Sequence, residues 1–473
     1  MGKFFRLVQN EHIKIFTRIS TWVLIILMAV VSIGFTGLMK FVQYQNNNVI
    51  YYDAIEDYKR SIQYLKADKP EGYETEVETY EFLIQHDIKY YGTWKYDEVF
   101  TQFSKKGALK SQAALGNITQ TELEKGLKQV EDNLNMIADN NWKGYYQQTM
   151  EEINADSSLS AAQKETKNYY YNYILQNNID PDSDDWRLKL AQQIQSDKSS
   201  LLSMEEQGAG QETNGEQQAQ AEQLKKNILL GEYRLAHNLK AIAAQISFDS
   251  YMSDIDFWAV MGISNILIGV VSMIIIILAG SSIANEFSTG TIKFLLINPV
   301  KRWKIFLSKY VTIISISVML VLGFFFLNAT LSGILFGFGD IMAPYLYVSG
   351  GVIHEFPGLL YVLWQYLIGS VNLIVMGTLA FAISSLMRNS AVAIGISVFA
   401  MLAGNTVVSF LGAVAQQDWA RFFIFANTDL NAIMAGNSIF PNMTVGFSLC
   451  VIAVHMVIFF LTAWDGFMRR ESI

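Results

Sequence analysis

The sequence predicts an all-α membrane protein: six transmembrane helices, an N-terminal amphipathic interfacial helix and a mostly helical extracytoplasmic domain. Three observations predict it. Of 473 residues, 51% are hydrophobic and only 16% charged, a balance too apolar for a soluble globular chain. The apolar residues gather in six runs, near residues 21–43, 258–280, 310–332, 359–386, 391–413 and 444–464, each of the order of twenty residues and so able to cross a bilayer as a helix. Charge is divided as well. Residues 44–256 carry 21 basic and 35 acidic residues, a balance of −14 within a net charge of −8, which leaves the remainder at +6. An acidic domain is therefore inserted into a basic membrane part.

Residues 1–20 place Phe4, Leu7, Val8, Ile15 and Ile19 near one helical stripe, with Lys3, Arg6, Lys14 and Arg18 around it. This reads as an interfacial helix under the membrane; a plain basic flank of the first span is the simpler alternative. The run from Trp22 to Met39 exceeds a signal-peptide core and lacks a small-residue cleavage site, so an uncleaved first span is expected.

The insertion at 44–256 has helical spacing throughout, as in Ile55, Tyr58, Ile62 and Leu65, in Leu123, Leu127, Val130, Leu134 and Ile137, and in Leu224, Ile228, Leu235, Leu239, Ile242 and Ile246. Between Ser203 and Gln223 almost no aliphatic residue occurs, which predicts a mobile loop between two helices. The helix after it is expected to run into the second span.

The polar stretch Ser281–Lys309 separates the second and third spans. Glu286 is its one acid, against Lys293, Lys301, Arg302, Lys304 and Lys309, and such an excess of basic residues places a short loop in the cytoplasm. Ile292, Leu295, Leu296 and Pro299 read as a short amphipathic helix stopped by proline. Arg388 lies in the turn between spans four and five, and Arg469 and Arg470 follow span six, whereas loop 333–358 has no Lys or Arg. Both termini are therefore expected in the cytoplasm and the insertion outside. Gln416–Pro441 is too apolar for a free loop and too short to span twice, so it reads as a re-entrant or interfacial segment, or else as a loop packed on the domain above.

No phosphate loop, nucleophile elbow or zinc-binding histidine pair occurs, and Cys450 is the single cysteine. Nothing points to catalysis, a metal or nucleic acid. Asn265, Asn372, Asn405 and His455 are polar groups within spans. A translocation path and inter-helix hydrogen bonds both explain them.

The loop reading Asn285-Glu286-Phe287-x-x-Gly290-Thr291-x-Lys293-Phe294-Leu295-Leu296-x-x-Pro299-x-x-Arg302, with the N-terminal helix and six spans, resembles the permease subunits of ABC-2-type transporters. The resemblance covers residues 1–43 and 257–473, and a subgroup of that family has a large insertion between the first two spans. It implies that Glu286 and Arg302 make polar contacts to a separate ATPase, that Phe287, Phe294, Leu295 and Leu296 fill its groove, and that Gly290, Thr291, Lys293 and Pro299 belong to the same coupling segment. Lipid headgroups are an alternative partner for the basic residues, and Gly290 has a second reading as a left-handed turn residue. The implied assembly has two ATPase subunits and a second permease, identical or paralogous, in a bacterial plasma membrane. ATP and Mg would be bound by the partner ATPase, with no cofactor on this chain. Outward movement of antimicrobial peptides, lipids or drugs, in self-immunity or resistance, is the implied activity. A non-transporting sensor linked to such an ATPase, and a membrane-anchored scaffold, stay open beside it.

Overall fold

The structure of the chain, a computed structural model, describes residues 2–49, 53–70, 72–208, 215–242, 255–290, 301–387, 389–415, 417–440 and 443–469. It divides into two compact units. The first comprises Met1–Phe41, Ile242–Tyr345 and Phe356–Ile473, the second Val42–Ala241 and Leu346–Glu355.

Among the described residues, six helices are long and apolar enough to cross a membrane: Ile19–Gln45, Phe257–Ser288, Arg302–Phe336, Gly358–Leu386, Ser390–Gly412 and Val445–Met468. Apolar runs fold this way because a helix satisfies its own backbone hydrogen bonds where no water can. Glycines let the helices approach closely. A β-carbon on Gly377 of the fourth span would lie 2.8 Å from Ile275 of the second, and one on Gly404 of the fifth would lie 2.4 Å from the Phe425 ring. The chain passes to the second unit at residues 41/42, 241/242, 345/346 and 355/356, and these span ends define a domain side. The opposite, loop side carries α1 (Gly2–Phe16) and the segment after Ser282.

Several features of the described part of the first unit are not regular, among them a π-helical turn at Phe410–Val414 that ends the fifth span. The second span is interrupted, with helix Phe257–Ile263, a 3-10 turn at Ser264–Leu267 and helix Ile268–Ser282. Between the fifth and sixth spans lie a 3-10 turn at Asp418–Phe422 and short helices Ile424–Asn427 and Leu430–Met434. These pack against the fourth, fifth and sixth spans. Arg388 lies outside the described residues.

Helices α3 (Ile55–Asp68), α4 (Tyr73–Gln85), α5 (Trp94–Ala114), α6 (Gln120–Ala138), α7 (Trp142–Ala155), α8 (Ala161–Asn177), α9 (Trp186–Gly208) and α10 (Gly215–Ala236) make up the second unit. Their starts are encoded locally. Thr119 with Glu122, and Ser160 with Gln163, form capping boxes at α6 and α8. The core is aromatic, built on Tyr58, Leu83, Val99, Ile137, Tyr145, Tyr146 and Ile174. A polar chain crosses it. Tyr145 donates to Glu98, Gln102 donates to the Tyr145 hydroxyl at 2.9 Å, and Asn133 donates to Gln102 at 3.1 Å and to Glu152 at 3.3 Å. Burial pushes the Glu98 carboxyl above the usual range, with the Tyr145 hydrogen bond opposing it. Burial likewise raises Tyr145 and Tyr146, and takes Tyr170 up to about 12.

Two expectations need correction here. Residues 203–208 and 215–223 are helical, because their Glu, Gln and Ala are good helix formers even without an apolar face; residues 209–214 lie outside the description. Helix α10 does not run into the second span. It ends at Ala236, where Asn238 takes the left-handed conformation (φ 53°) and the Leu239 amide returns to the Arg234 carbonyl at 2.9 Å, an end that Asn tolerates well. The fold is mainly helical, as an all-α membrane protein should be, with one short hairpin among the described residues. Strands β1 (Pro344–Ser349) and β2 (Val352–Pro357) pair as a hairpin whose turn residues Gly350 and Gly351 have φ of 60° and 78°, which a Gly-Gly turn between alternating residues favours. Glu355 then accepts a hydrogen bond from Tyr233 of α10 at 3.0 Å, which holds the hairpin within the second unit.

Candidate functional site

The site is the loop-side junction where the second span gives way to the polar loop. The fourth span ends the second: the Ser384 hydroxyl accepts from the amides of Ile283 and Ala284 at 3.1 and 3.0 Å. This turns the chain into the short helix Ala284–Ser288. Gly290, with φ of 71°, follows in the left-handed conformation, as its turn reading requires.

That short helix directs Glu286 inward, where it is 2% exposed. Its Oε1 accepts from Lys309 Nζ at 2.7 Å and also from Lys14 Nζ. Lys309, likewise 2% exposed, also donates to Glu11 Oε2 at 2.9 Å. Two acids and two bases thus alternate across three elements: α1, the start of the loop and the first turns of the third span. Burying a charge is costly unless it is paired, so each residue depends on the others. One turn along, His12 of α1 and Ser315 share a hydrogen bond of 2.8 Å. At the bend after α1, Thr21 and Trp22 donate to the carbonyls of Ile15 and Phe16 at 2.7 and 2.8 Å. The N-terminal helix is strapped to the third span by its polar face, while Phe5 and Ile13 stay exposed.

Glu286, expected from the resemblance to contact a separate ATPase, makes its described ion pairs within the chain. Phe287 is half-buried and Arg302 exposed at the start of the third span. Thr291, Lys293, Phe294, Leu295, Leu296 and Pro299, with the short amphipathic helix expected there, lie outside the described residues. Sequence reading missed Glu11, Lys14 and Ser384. Lys14 and Lys309 counted only as positive charges, since pairing across 272 and 23 positions leaves no local signal.

The four intramembrane polar residues do not form one constellation, and no hydrogen bond joins any two of them among the described residues. His455 is half-buried and bonds the Val451 carbonyl of its own helix at 2.9 Å. Asn405 is exposed, Asn372 half-buried, and Asn265 sits in the 3-10 turn of the second span.

Comparison with known proteins follows this division of the chain. Residues 240–473 match a protein family described as "Protein of unknown function (DUF2705)", and the match begins where the first unit resumes. The chain is 34% identical over 251 residues to "Uncharacterized protein YhcI" of Bacillus subtilis, covering 52% of this chain and 76% of that one. It belongs to the family of YhcI. It is also 36% identical over 199 residues to "Uncharacterized membrane protein YdbK" of the same organism, covering 41% of this chain and 75% of that relative. No solved structure matches the chain. With six apolar helices and a membrane-protein relative, this family member is a multi-pass membrane protein.

Proposed function

We propose that the chain is the membrane-spanning subunit of an ATP-driven exporter, with ATP hydrolysed on a separate ATPase that docks against the loop between the second and third spans. The observation that carries this reading is the buried cluster of Glu286, Lys309, Lys14 and Glu11. A partner pushing on the loop acts on a segment already clamped to the third span, capped by the fourth and tied to the N-terminal helix. Displacement would reach several spans at once, as rigid-body coupling requires. In this reading Glu286 holds the loop from inside, and Phe294, Leu295 and Leu296 are the contacts offered to the ATPase. Both termini are cytoplasmic, the second unit is extracellular, and two permease chains work with two ATPases.

The −14 balance of residues 44–256 favours a cationic substrate, captured through charge complementarity. Glu78 is engaged by Lys106 and Lys110, so Glu74 and Glu76 are the positions at which to test it. Resistance to cationic peptides unchanged by Glu74→Gln with Glu76→Gln would remove that substrate.

Co-purification from native membranes tests the main reading. The wild-type chain should carry an ATPase identified by mass spectrometry, and a variant with Phe294→Asp and Leu295→Asp should lose it without losing its fold. No ATPase with either chain would overturn the exporter.

A further inference from the structure

We infer that water penetrates the spanning bundle from the domain side and stops at Tyr366, so that the domain-side halves of the second, third and sixth spans are wet and their loop-side halves dry. The distribution of buried polar side chains carries the inference. On the loop side and at mid-span, Ser272, Ser308, Thr312, Ser317, Thr378 and Ser397 each donate to a carbonyl of their own helix. Toward the domain side Ser264 and Ser370 bond in the same way, but other buried polar atoms do not. Asn265 Oδ1, Asn328 Oδ1, Ser332 Oγ and Ser448 Oγ, with Asn427 Oδ1 in the connecting segment, are buried without a hydrogen-bond partner among the described residues. Ser32 Oγ, near the middle of the first span, joins them.

Chemistry separates the three amide oxygens among these atoms from hydroxyls, which can turn back on their own helix. An amide oxygen only accepts, so a helix, whose free groups are carbonyls, cannot satisfy it. The amide nitrogens of Asn328 and Asn427 are already used, on the carbonyls of Phe324 and of Arg421 and Phe423. That fixes the direction of each oxygen and leaves it needing a donor. A dry, unsatisfied buried acceptor is costly, and water is a donor that can meet such groups.

The floor of the wet half is defined too. Tyr366 donates to the Met261 carbonyl at 3.0 Å and shares a 2.7 Å hydrogen bond with Ser264, at the interruption of the second span. The rings of Phe324 and Phe325 lie 5.8 and 5.4 Å from its ring. Beyond it Val271, Ile275, Ile276, Ile313 and Phe381 are at most 1% exposed and offer water nothing to bond.

Radiolytic hydroxyl labelling of the full chain in lipid nanodiscs tests the inference, because the radicals form from water where it lies. Phe324, one turn from Asn328, should be labelled about tenfold or more faster than Phe306 and Phe381, which are equally buried on the loop side. Equal protection of all three rings overturns the inference. A variant with Asn328→Leu and Ser332→Ala supplies the second arm. Loss of Phe324 labelling, with no rise in unfolding temperature, places the water at those oxygens. A rise in unfolding temperature, or labelling that persists, overturns that placement. The outcome does not depend on any ATPase.

Discussion

Lys309 and Glu286, each 2% exposed, face one another at 2.7 Å where the polar loop leaves the second span and the third begins. The pair is extended on both sides by residues of the N-terminal helix, Lys14 toward Glu286 and Glu11 toward Lys309. A buried pair of this kind contributes less through its own attraction than through the penalty of losing either member.

Lys309→Met therefore removes the centre of the cluster and leaves two acids against Lys14. The expected loss is about 3–5 kcal/mol, read as a lowered thermal unfolding midpoint in nanodiscs. Adding Glu286→Gln to Lys309→Met should recover part of it, since no deeply buried charge then stands alone. A double variant no more stable than the single would mean that Lys309 acts through packing of its chain.

Glu98 gives the second unit a pH dependence of known sign. Burial raises its folded-state pKa, so its contribution to stability is fully present below the unfolded value, about 4.3, and is lost as pH rises through the folded value. Glu98→Gln still accepts from Tyr145 without burying a charge. The variant should be more stable than wild type at neutral pH, with the difference closing toward pH 4. Unfolding midpoints measured across that range decide it, and parallel curves would contradict the assignment.

Two glycines of the fifth span should respond oppositely to alanine. At Gly404 the added carbon would meet the Phe425 ring at 2.4 Å, and overpacking of this kind costs about 1–3 kcal/mol. Gly395 has open space around it, so Gly395→Ala should be neutral or stabilising by up to about 1 kcal/mol. Thermal unfolding of both variants checks the contrast.

Asn238 ends α10 with φ of 53°. Asn238→Ala should cost about 1–2 kcal/mol through the left-handed backbone, and Asn238→Gly should not. Equal loss in both would show that the Asn side chain, not the conformation, holds the end. Chemical unfolding followed by tyrosine fluorescence distinguishes the two.

The helical character of the second unit and the apolar spans were legible because both are local: period 3.6, capping residues and run length are read within some twenty residues. The basic character of Ser281–Lys309 was legible for the same reason. Glu286 was found as a residue but not in its setting, since nothing near it in sequence says that Ser384 turns the chain or that Lys309 waits 23 positions away. The hairpin at Pro344–Pro357 did carry a signal, Gly-Gly between alternating residues, which the length of the flanking apolar helices obscured.

By itself, then, the sequence determined that this protein has six apolar helices, an acidic and mostly helical insertion, and a basic loop between the second and third helices. Burial of apolar surface and backbone hydrogen bonding within a single segment suffice for each of these. Only the tertiary structure decided that Glu286 faces inward to Lys309 and Lys14, that residues 346–355 join the second unit, and that unsatisfied polar atoms gather toward the domain side. Charge pairing and the satisfaction of buried hydrogen bonds depend on which distant segments meet, and that is settled by packing.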